Sequence, residues 1–292
     1  MIEKYYNGVI EQVAGGIGNV EHNSILVRYS NDFSIWDLES VNHYKDQTDI
    51  FFTCHEFSYN KIAEAYEPYL GLIRQMFHKY CSGTLEEFME ECDVYKLQRP
   101  VFESYFEKGF CERTEQILID EVEYEQERMH SSIVTMLQKL SEICPIVIVL
   151  NRFQLASKST MQLTNRLLQT KNKNIGIVLG VNDVQSIPEF AHEEWDAICE
   201  SMDDRNMVYH IGNAGRNMEP DVMDYYSDYE SDDGYRKLNN LVYFLDFDQA
   251  NHHLSKIERR IKFDNFTISE KKHYQLLLLQ IMVSVLKRDI AK

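Results

Sequence analysis

The segment VAGGIGNVE, residues 13–21, is the first stretch of the chain whose composition suggests chemistry. Glycine-rich loops bind phosphate when they leave a buried strand, open a helix and end in Lys followed by Ser or Thr. Here Asn19 stands at the lysine position and Val20 at the hydroxyl position. Residues 2–13 carry apolar side chains at steps of three and four, which predicts a helix before the glycines. We therefore interpret the glycines as the end of that helix and a turn.

Two acidic or histidine-containing segments have the residue types of metal sites. His252 and His253 follow Asp246 and Asp248, but adjacent residues on a helix point to different parts of its surface, which favours a solvated face. The segment DYESDDG, residues 228–234, resembles a calcium loop without its sixth-position glycine or its closing glutamate. We expect no metal at either segment.

The six cysteines are scattered and form no CxxC pair, so we expect reduced, mostly packed thiols. The tripeptide Cys54-His55-Glu56 combines a nucleophile with a base, but neighbouring residues at a strand end diverge. A packed thiol with exposed neighbours is the simpler interpretation. The sequence contains no GxSxG or HExxH motif. No catalytic residue is predicted.

Charge and hydropathy restrict the classes of partner. The formal net charge of −17 argues against nucleic acid, whose phosphates would be repelled. No apolar run reaches the roughly 18 residues that span a bilayer, and the N-terminus lacks the pattern of a signal peptide. We expect a cytoplasmic protein that contacts neither a membrane nor nucleic acid.

Short apolar runs alternate with helical patterns along the first two thirds of the chain. The runs at CPIVIVLN and NIGIVLGVN are continuous, which is typical of strands that are buried on both faces of a parallel sheet. The alternation predicts an α/β fold with a parallel sheet flanked by helices. Strands are predicted at residues 24–29, 48–54, 145–150, 175–181 and 206–212.

The composition changes near residue 219. Residues 219–233 contain seven acidic residues and no basic one, which indicates a solvated linker or loop. Two helices joined by FDNFTI follow, the second apolar nearly all round, as in a tetratricopeptide-like hairpin. We predict an α/β domain at 1–218, an acidic linker or loop at 219–235 and a helical hairpin at 236–292. We also expect the chain to be the front part of a longer protein.

The order of these segments resembles a known family. The strand FFTCHE followed by AYEPYLGLI, and the strand PIVIVL followed by NRFQLAS, are similar to segments of the STAND class of AAA-related P-loop ATPases of bacterial signalling. NIGIVLGVND resembles the next strand of that class. The resemblance covers the whole chain in order and spacing. It implies a P-loop-NTPase-like sheet followed by the start of a tetratricopeptide-like helical region.

Both nucleotide motifs of that family are degenerate in this chain. The family's first strand leads into a glycine-rich loop with Lys and Ser or Thr, and its later strand ends in acids that hold magnesium and activate water. Asn151 and Arg152 occupy the positions of those acids, and Arg cannot act as a base near neutral pH. The place of the phosphate loop is taken by Ser30, Asn31, Asp32, Phe33, Ser34, Ile35 and Trp36.

The resemblance and these departures together predict a non-catalytic module, a pseudo-ATPase without a cofactor. It would work in regulation or signalling through protein partners, or through other domains of a longer chain, that contact its helical C-terminus. The output domain in such proteins is DNA-binding or a nucleotide cyclase, including the diguanylate type. Two alternatives stay open. One is a nucleotide-binding switch or weak ATPase with a non-standard loop, which would need ATP and magnesium. The other is a structural module that forms a homo-oligomer through residues 271–292.

Overall fold

Five parallel strands form the centre of the protein. The computed structural model describes residues 2–18, 23–30, 34–45, 47, 49–58, 61–111, 122–170, 172–182, 187, 191–203, 208–211, 231–263 and 267–290. The strands are β1 Ser24–Tyr29, β2 Phe51–Glu56, β3 Ile146–Asn151, β4 Ile175–Asn182 and β5 Val208–Ile211. Their order across the sheet is β2-β3-β4-β1-β5, and every pairing is parallel. The predicted α/β fold is confirmed, and this arrangement is compatible with a P-loop-like fold.

Burial follows the position of each strand in the sheet. Every residue of β3 and β4 is buried, as their continuous apolar runs predict for central strands. Every residue of β2 is only partly buried, because this strand forms one edge. The strand also begins at Phe51, three residues later than predicted, where its pairing with Ile146 of β3 begins. Pairing with its neighbour therefore sets its boundary.

Helices cover both faces of the sheet. Those that precede the C-terminal group are α1 Ile2–Gly15, α2 Glu39–Lys45, α3 Tyr69–Tyr80, α4 Leu85–Glu91, α5 Arg99–Lys108, α6 Val122–Ile143, α7 Lys158–Gln169 and α8 His192–Asp203. α1 contacts α2 and the central strands, whereas α7 contacts α6 and α8. The chain moves one way across the sheet from β1 to β2 and the opposite way in every later crossover. Right-handed crossovers therefore place α2 and α6–α8 on opposite faces.

Two glycines of β4 allow α1 to lie close to the sheet. A Cβ atom at Gly176 would lie 2.6 Å from Val13 Cγ1. One at Gly180 would collide with the Tyr6 hydroxyl and lie 2.6 Å from Asn151 Oδ1. Real Cβ atoms essentially never make contacts this short, so a larger residue at either position would require its neighbours to shift.

Three helices form the C-terminal part of the chain: α9 Asp232–Tyr243, α10 Phe247–Phe263 and α11 Glu270–Ile290. The hairpin was predicted at 236–292, but the structure has three helices there: α10 and α11 pack against each other, and α9 contacts both. The sequence pattern predicts a single helix from the start of the hairpin to residue 262. The structure divides this segment into α9 and α10, because the chain turns at Leu245, whose φ is 67°. Ser231 caps α9 by accepting a hydrogen bond from Gly234 N at 2.9 Å. Residues 219–230 of the predicted acidic linker lie outside the described residues, and the division into domains stays a prediction.

The C-terminal helices share the hydrophobic core of the α/β part. Phe244, at the end of α9, packs its ring against Tyr66, Phe102 and Tyr105 at centroid distances of 5.8, 6.1 and 5.8 Å. In the described part of the chain, none of the helices has the length and hydropathy that a membrane span requires.

Candidate functional site

The carboxyl ends of the strands bring the predicted site residues to one edge of the sheet. In the register of the sheet, Glu56 pairs with Asn151, and Tyr29 pairs with Asn182. The chain leaves β1 in one direction and β4 in the other, which makes the end of β1 and β4 a topological switch point. Open parallel sheets bind their ligands in the crevice at such a point. A nucleotide would therefore be expected to bind at this edge of the sheet.

Asn151, the last residue of β3, is completely buried. Its Oδ1 accepts a hydrogen bond of 2.7 Å from the Tyr29 hydroxyl. Its Nδ2 has no hydrogen-bond partner among the described residues. An amide oxygen that already accepts from a tyrosine, and that no solvent reaches, is a poor ligand for magnesium.

The described part of the loop after β1 begins at Ser34 and contains a capped turn. Asn31, Asp32 and Phe33 lie outside the described residues. Ser34 caps a short 3₁₀ turn at Ile35–Asp37 by accepting a hydrogen bond from Trp36 N, 3.3 Å away. Helix α2 follows this turn and begins at Glu39. Ile35 is fully buried, whereas Trp36 is 47% exposed and lies under Lys45 Nζ, which is 4.6 Å from the ring centroid.

Glu56 connects the loop after β1 with the residue that follows β3. Its Oε2 accepts a hydrogen bond of 3.2 Å from Ile35 N, and its Oε1 lies 3.3 Å from Arg152 Nη1. The side chains of Glu56 and Arg152 are only 12% and 19% exposed. Arg152 has a left-handed backbone, with φ 52°, directly after the end of β3. A carboxylate of the protein is thus bound by a loop amide and a cation, the groups that would otherwise serve a phosphate.

Tyr6 of α1 reaches the same region from beneath the sheet. Its hydroxyl lies against Gly180, which also contacts Asn151 Oδ1. Burial raises the pKa of Tyr6 well above its usual value, and the nearby Tyr29 and Glu56 raise it further. Tyr6 is therefore a neutral phenol at physiological pH. Together with Asn151 and Tyr29, it fills the space behind the strand ends with uncharged polar groups.

Comparisons with protein-family models, with curated proteins and with solved structures found no match. The geometry of this edge and the resemblance in the order of its segments are therefore the grounds for a function.

The structure also gives the surroundings of the other side chains with reactive groups: Cys54, His55, Asp246 and His253. Burial raises the pKa of Cys54 to about 11, so it is a neutral thiol. The Nε2 of His55 lies 3.6 Å from Glu67 Oε1, and burial lowers the pKa of His55 to about 4. His253 is buried, and Asp246 accepts a hydrogen bond of 2.9 Å from Ser159 N. No group of three potential metal ligands occurs within the described ranges, and residues 228–230 lie outside them.

Sequence reasoning identified Asn151 and Arg152 but missed Glu56, Tyr29 and Tyr6 as parts of one cluster. Tyr6 was recognised only as a member of the apolar stripe of α1. The sequence contained a sign of Glu56, because it lies two residues after the predicted strand 48–54, as Asn151 lies directly after the predicted strand 145–150. The pairing of β2 with β3 is what places the two residues side by side.

Proposed function

We propose that this chain is a non-catalytic, STAND-like regulatory module of a bacterial signalling protein, acting in the cytoplasm. The observation that carries the proposal is the position of Glu56 between Ile35 N and Arg152. A nucleotide phosphate at this edge would have to displace a carboxylate that is already bound there. The resemblance in segment order and the parallel sheet support the family, and the occupied edge supports the loss of its activity.

The size of the electrostatic barrier can be estimated. A phosphate charge 4 Å from the Glu56 carboxylate would be repelled by about 4 kcal/mol at an effective dielectric constant of about 20. Arg152, which pairs with the same carboxylate, attracts the phosphate and offsets part of this repulsion, so the net barrier is smaller. Each 1.4 kcal/mol that remains weakens binding about tenfold. The backbone amide of Ile35 cannot compensate, because it already donates to Glu56.

Magnesium lacks a carboxylate ligand at the same place. In the ATPases that the segment order resembles, the strand at the place of β3 ends in acids, whereas Asn151 here carries no charge and accepts a hydrogen bond from Tyr29. Glu56 is neutralised by Arg152. Within the described residues, the strand ends therefore present no unpaired acid to a divalent cation.

The helical C-terminus supports a role in contacts with other proteins or other domains. α11 buries Leu276, Leu279 and Val283 against the helices beside it. Its other side exposes a second apolar stripe at steps of three and four residues: Tyr274, Leu277, Leu278, Ile281 and Val285. Exposed apolar stripes of this kind are typical of protein interaction sites. The same stripe favours the alternative of a structural module that forms homo-oligomers.

Amide hydrogen exchange of residues 30–38 with and without magnesium and ATP separates the proposal from the nucleotide-switch alternative. A phosphate loop donates its backbone amides to the nucleotide, so binding would slow their exchange. We expect no added protection in this segment. Protection of these amides by magnesium and ATP would overturn the proposal.

A further inference from the structure

Strand β2 has an unpaired backbone along its outer side, where the sheet ends. Its inner side pairs with β3, beginning at Phe51 N, which donates to Pro145 O at 2.7 Å. In a parallel ladder, every second residue of a strand directs both its N–H and its C=O to the same neighbour. The backbone groups of Phe52, Cys54 and Glu56 therefore point away from β3.

Nothing in the described part of the chain hydrogen-bonds these outward N–H and C=O groups. Every residue of β2 is partly exposed, so solvent reaches the strand. A strand edge of this kind pairs readily with another extended chain, because each of its backbone groups gains a partner. Proteins use such edges to bind extended segments of other proteins, which add a strand to the sheet.

Two lysines flank this edge, one on each face of the sheet. Phe51 and Phe52 point to opposite faces, because they are adjacent on a strand. On one face, Lys79 Nζ lies 5.8 Å from the ring centroid of Phe51. On the other face, the ring of Tyr44 stacks on Phe52 at 5.7 Å, and Lys45 follows Tyr44 in the chain.

Both lysines are exposed, and neither forms an ion pair with a residue of the described ranges. Lys45 Nζ lies 4.6 Å from the ring centroid of Trp36, which is 47% exposed. The described acids beside the strand, Asp49 and Glu56, already have partners. The edge therefore presents two cations, and an exposed aromatic ring beside one of them, to an incoming strand.

We propose that the outer edge of β2 binds an extended, acidic segment of a partner protein, which adds to the sheet as a further strand. The backbone of this segment pairs with Phe52, Cys54 and Glu56, and its carboxylates meet Lys45 and Lys79. A second copy of this chain is a less suitable occupant, because its own edge would bring the same two lysines to the interface. This surface is distinct from the exposed stripe of α11, and the proposal does not depend on whether nucleotide binds.

Fluorescence anisotropy of a labelled peptide tests the proposal on the full chain. The peptide is a short one of glutamate, valine and threonine, with adjacent glutamates at its centre, so that acids lie on both faces of the added strand. The matched control has the same sequence with N-methyl groups on its backbone amides, which keeps the charge and removes the donors. We expect saturable binding of the first peptide and binding weaker by about tenfold or more for the second.

Charge reversal on the protein tests the role of the lysines. The double variant Lys45→Glu and Lys79→Glu should weaken binding of the acidic peptide by about tenfold, because each substitution replaces an attraction with a repulsion. Lys262→Glu, which changes another exposed lysine on α10, is the matched control and should leave binding unchanged.

Amide hydrogen exchange locates the bound peptide. The peptide should slow the exchange of the amides of Phe52, Cys54 and Glu56. Absence of binding, equal binding of the N-methylated peptide, or equal effects of the double variant and Lys262→Glu would overturn the proposal. Protection of these amides that rises with protein concentration, without peptide, would assign the edge to a second copy and would also overturn it.

Discussion

The substitution Glu56→Gln removes the negative charge at the sheet edge and keeps the size of the side chain. Glu56 lies 3.3 Å from Arg152 Nη1, and the two side chains are 12% and 19% exposed. The gross Coulomb attraction is about 5 kcal/mol at an effective dielectric constant of about 20. The cost of desolvating both groups offsets most of it, so we expect a net loss of about 1 to 2 kcal/mol in the free energy of unfolding.

The same substitution should create a weak anion site. It removes the repulsion of about 4 kcal/mol that Glu56 exerts on a phosphate charge at 4 Å, and it leaves Arg152 without its carboxylate partner. We expect inorganic phosphate to raise the melting temperature of Glu56→Gln, relative to sodium chloride of equal ionic strength. The wild-type protein should show no difference between the two salts.

Glu64→Gln is the matched control. Glu64 pairs with Arg236 at 3.1 Å, and its side chain is 13% exposed, so its ion pair resembles that of Glu56 but lies away from the loop after β1. We expect a similar loss of stability and no response to phosphate. Equal stabilisation of all three proteins by phosphate, or none for Glu56→Gln, would refute the reasoning.

Three further predictions concern packing, pH and the C-terminal surface. Gly180→Ala should lower the free energy of unfolding by about 1 to 3 kcal/mol, because the added Cβ meets Tyr6. Gly8→Ala, in open space on α1, should raise it by about 0.5 to 1 kcal/mol. Denaturant titration measures both, and an unchanged free energy of unfolding in Gly180→Ala would contradict the packing of Tyr6 on β4. Burial lowers the pKa of His253 from 6.5 to about 3, so between these values the unfolded chain binds a proton that the folded protein does not. The contribution of neutral His253 to the free energy of unfolding is therefore full above pH 6.5 and should fall by up to about 1.4 kcal/mol per pH unit below it. His253→Gln should flatten this slope when unfolding is measured from about pH 7 to about pH 4. Ile281 is 57% exposed, so Ile281→Asp should leave the free energy of unfolding unchanged and abolish any self-association seen by light scattering. Leu279 is 2% exposed, so Leu279→Ala should lower the free energy of unfolding by about 2 to 5 kcal/mol. A large loss of stability in Ile281→Asp would show that this face is buried.

Local sequence patterns were sufficient to predict the sheet. The apolar runs of β3 and β4 contain many β-branched residues, which indicated central strands, and the alternation with helices indicated parallel pairing. The boundary of β2 was not predictable in the same way, because an edge strand begins where its neighbour offers pairing. The turn at Leu245 also depends on tertiary contacts, since the next residue, Asp246, binds Ser159 N of α7.

The candidate site was predictable in part. The sequence placed Asn151 and Arg152 at the end of a buried strand, and the structure has them there; that they stand in for acids of a nucleotide motif stays a prediction. The role of Glu56 depends on the register between β2 and β3 and on the path of the loop at Ile35. No pattern in a single sequence specifies how two strands that lie about ninety residues apart will pair.

Thermal unfolding of the wild-type protein with and without millimolar ATP or GTP and magnesium tests the central claim most directly. A ligand at about a hundred times its dissociation constant adds close to 3 kcal/mol, which would raise the melting temperature of a protein of this size by several degrees. The occupied sheet edge predicts no shift with either nucleotide. A shift that requires magnesium would contradict the account, since it would mean that the nucleotide displaces Glu56 or binds elsewhere with its own metal ligands.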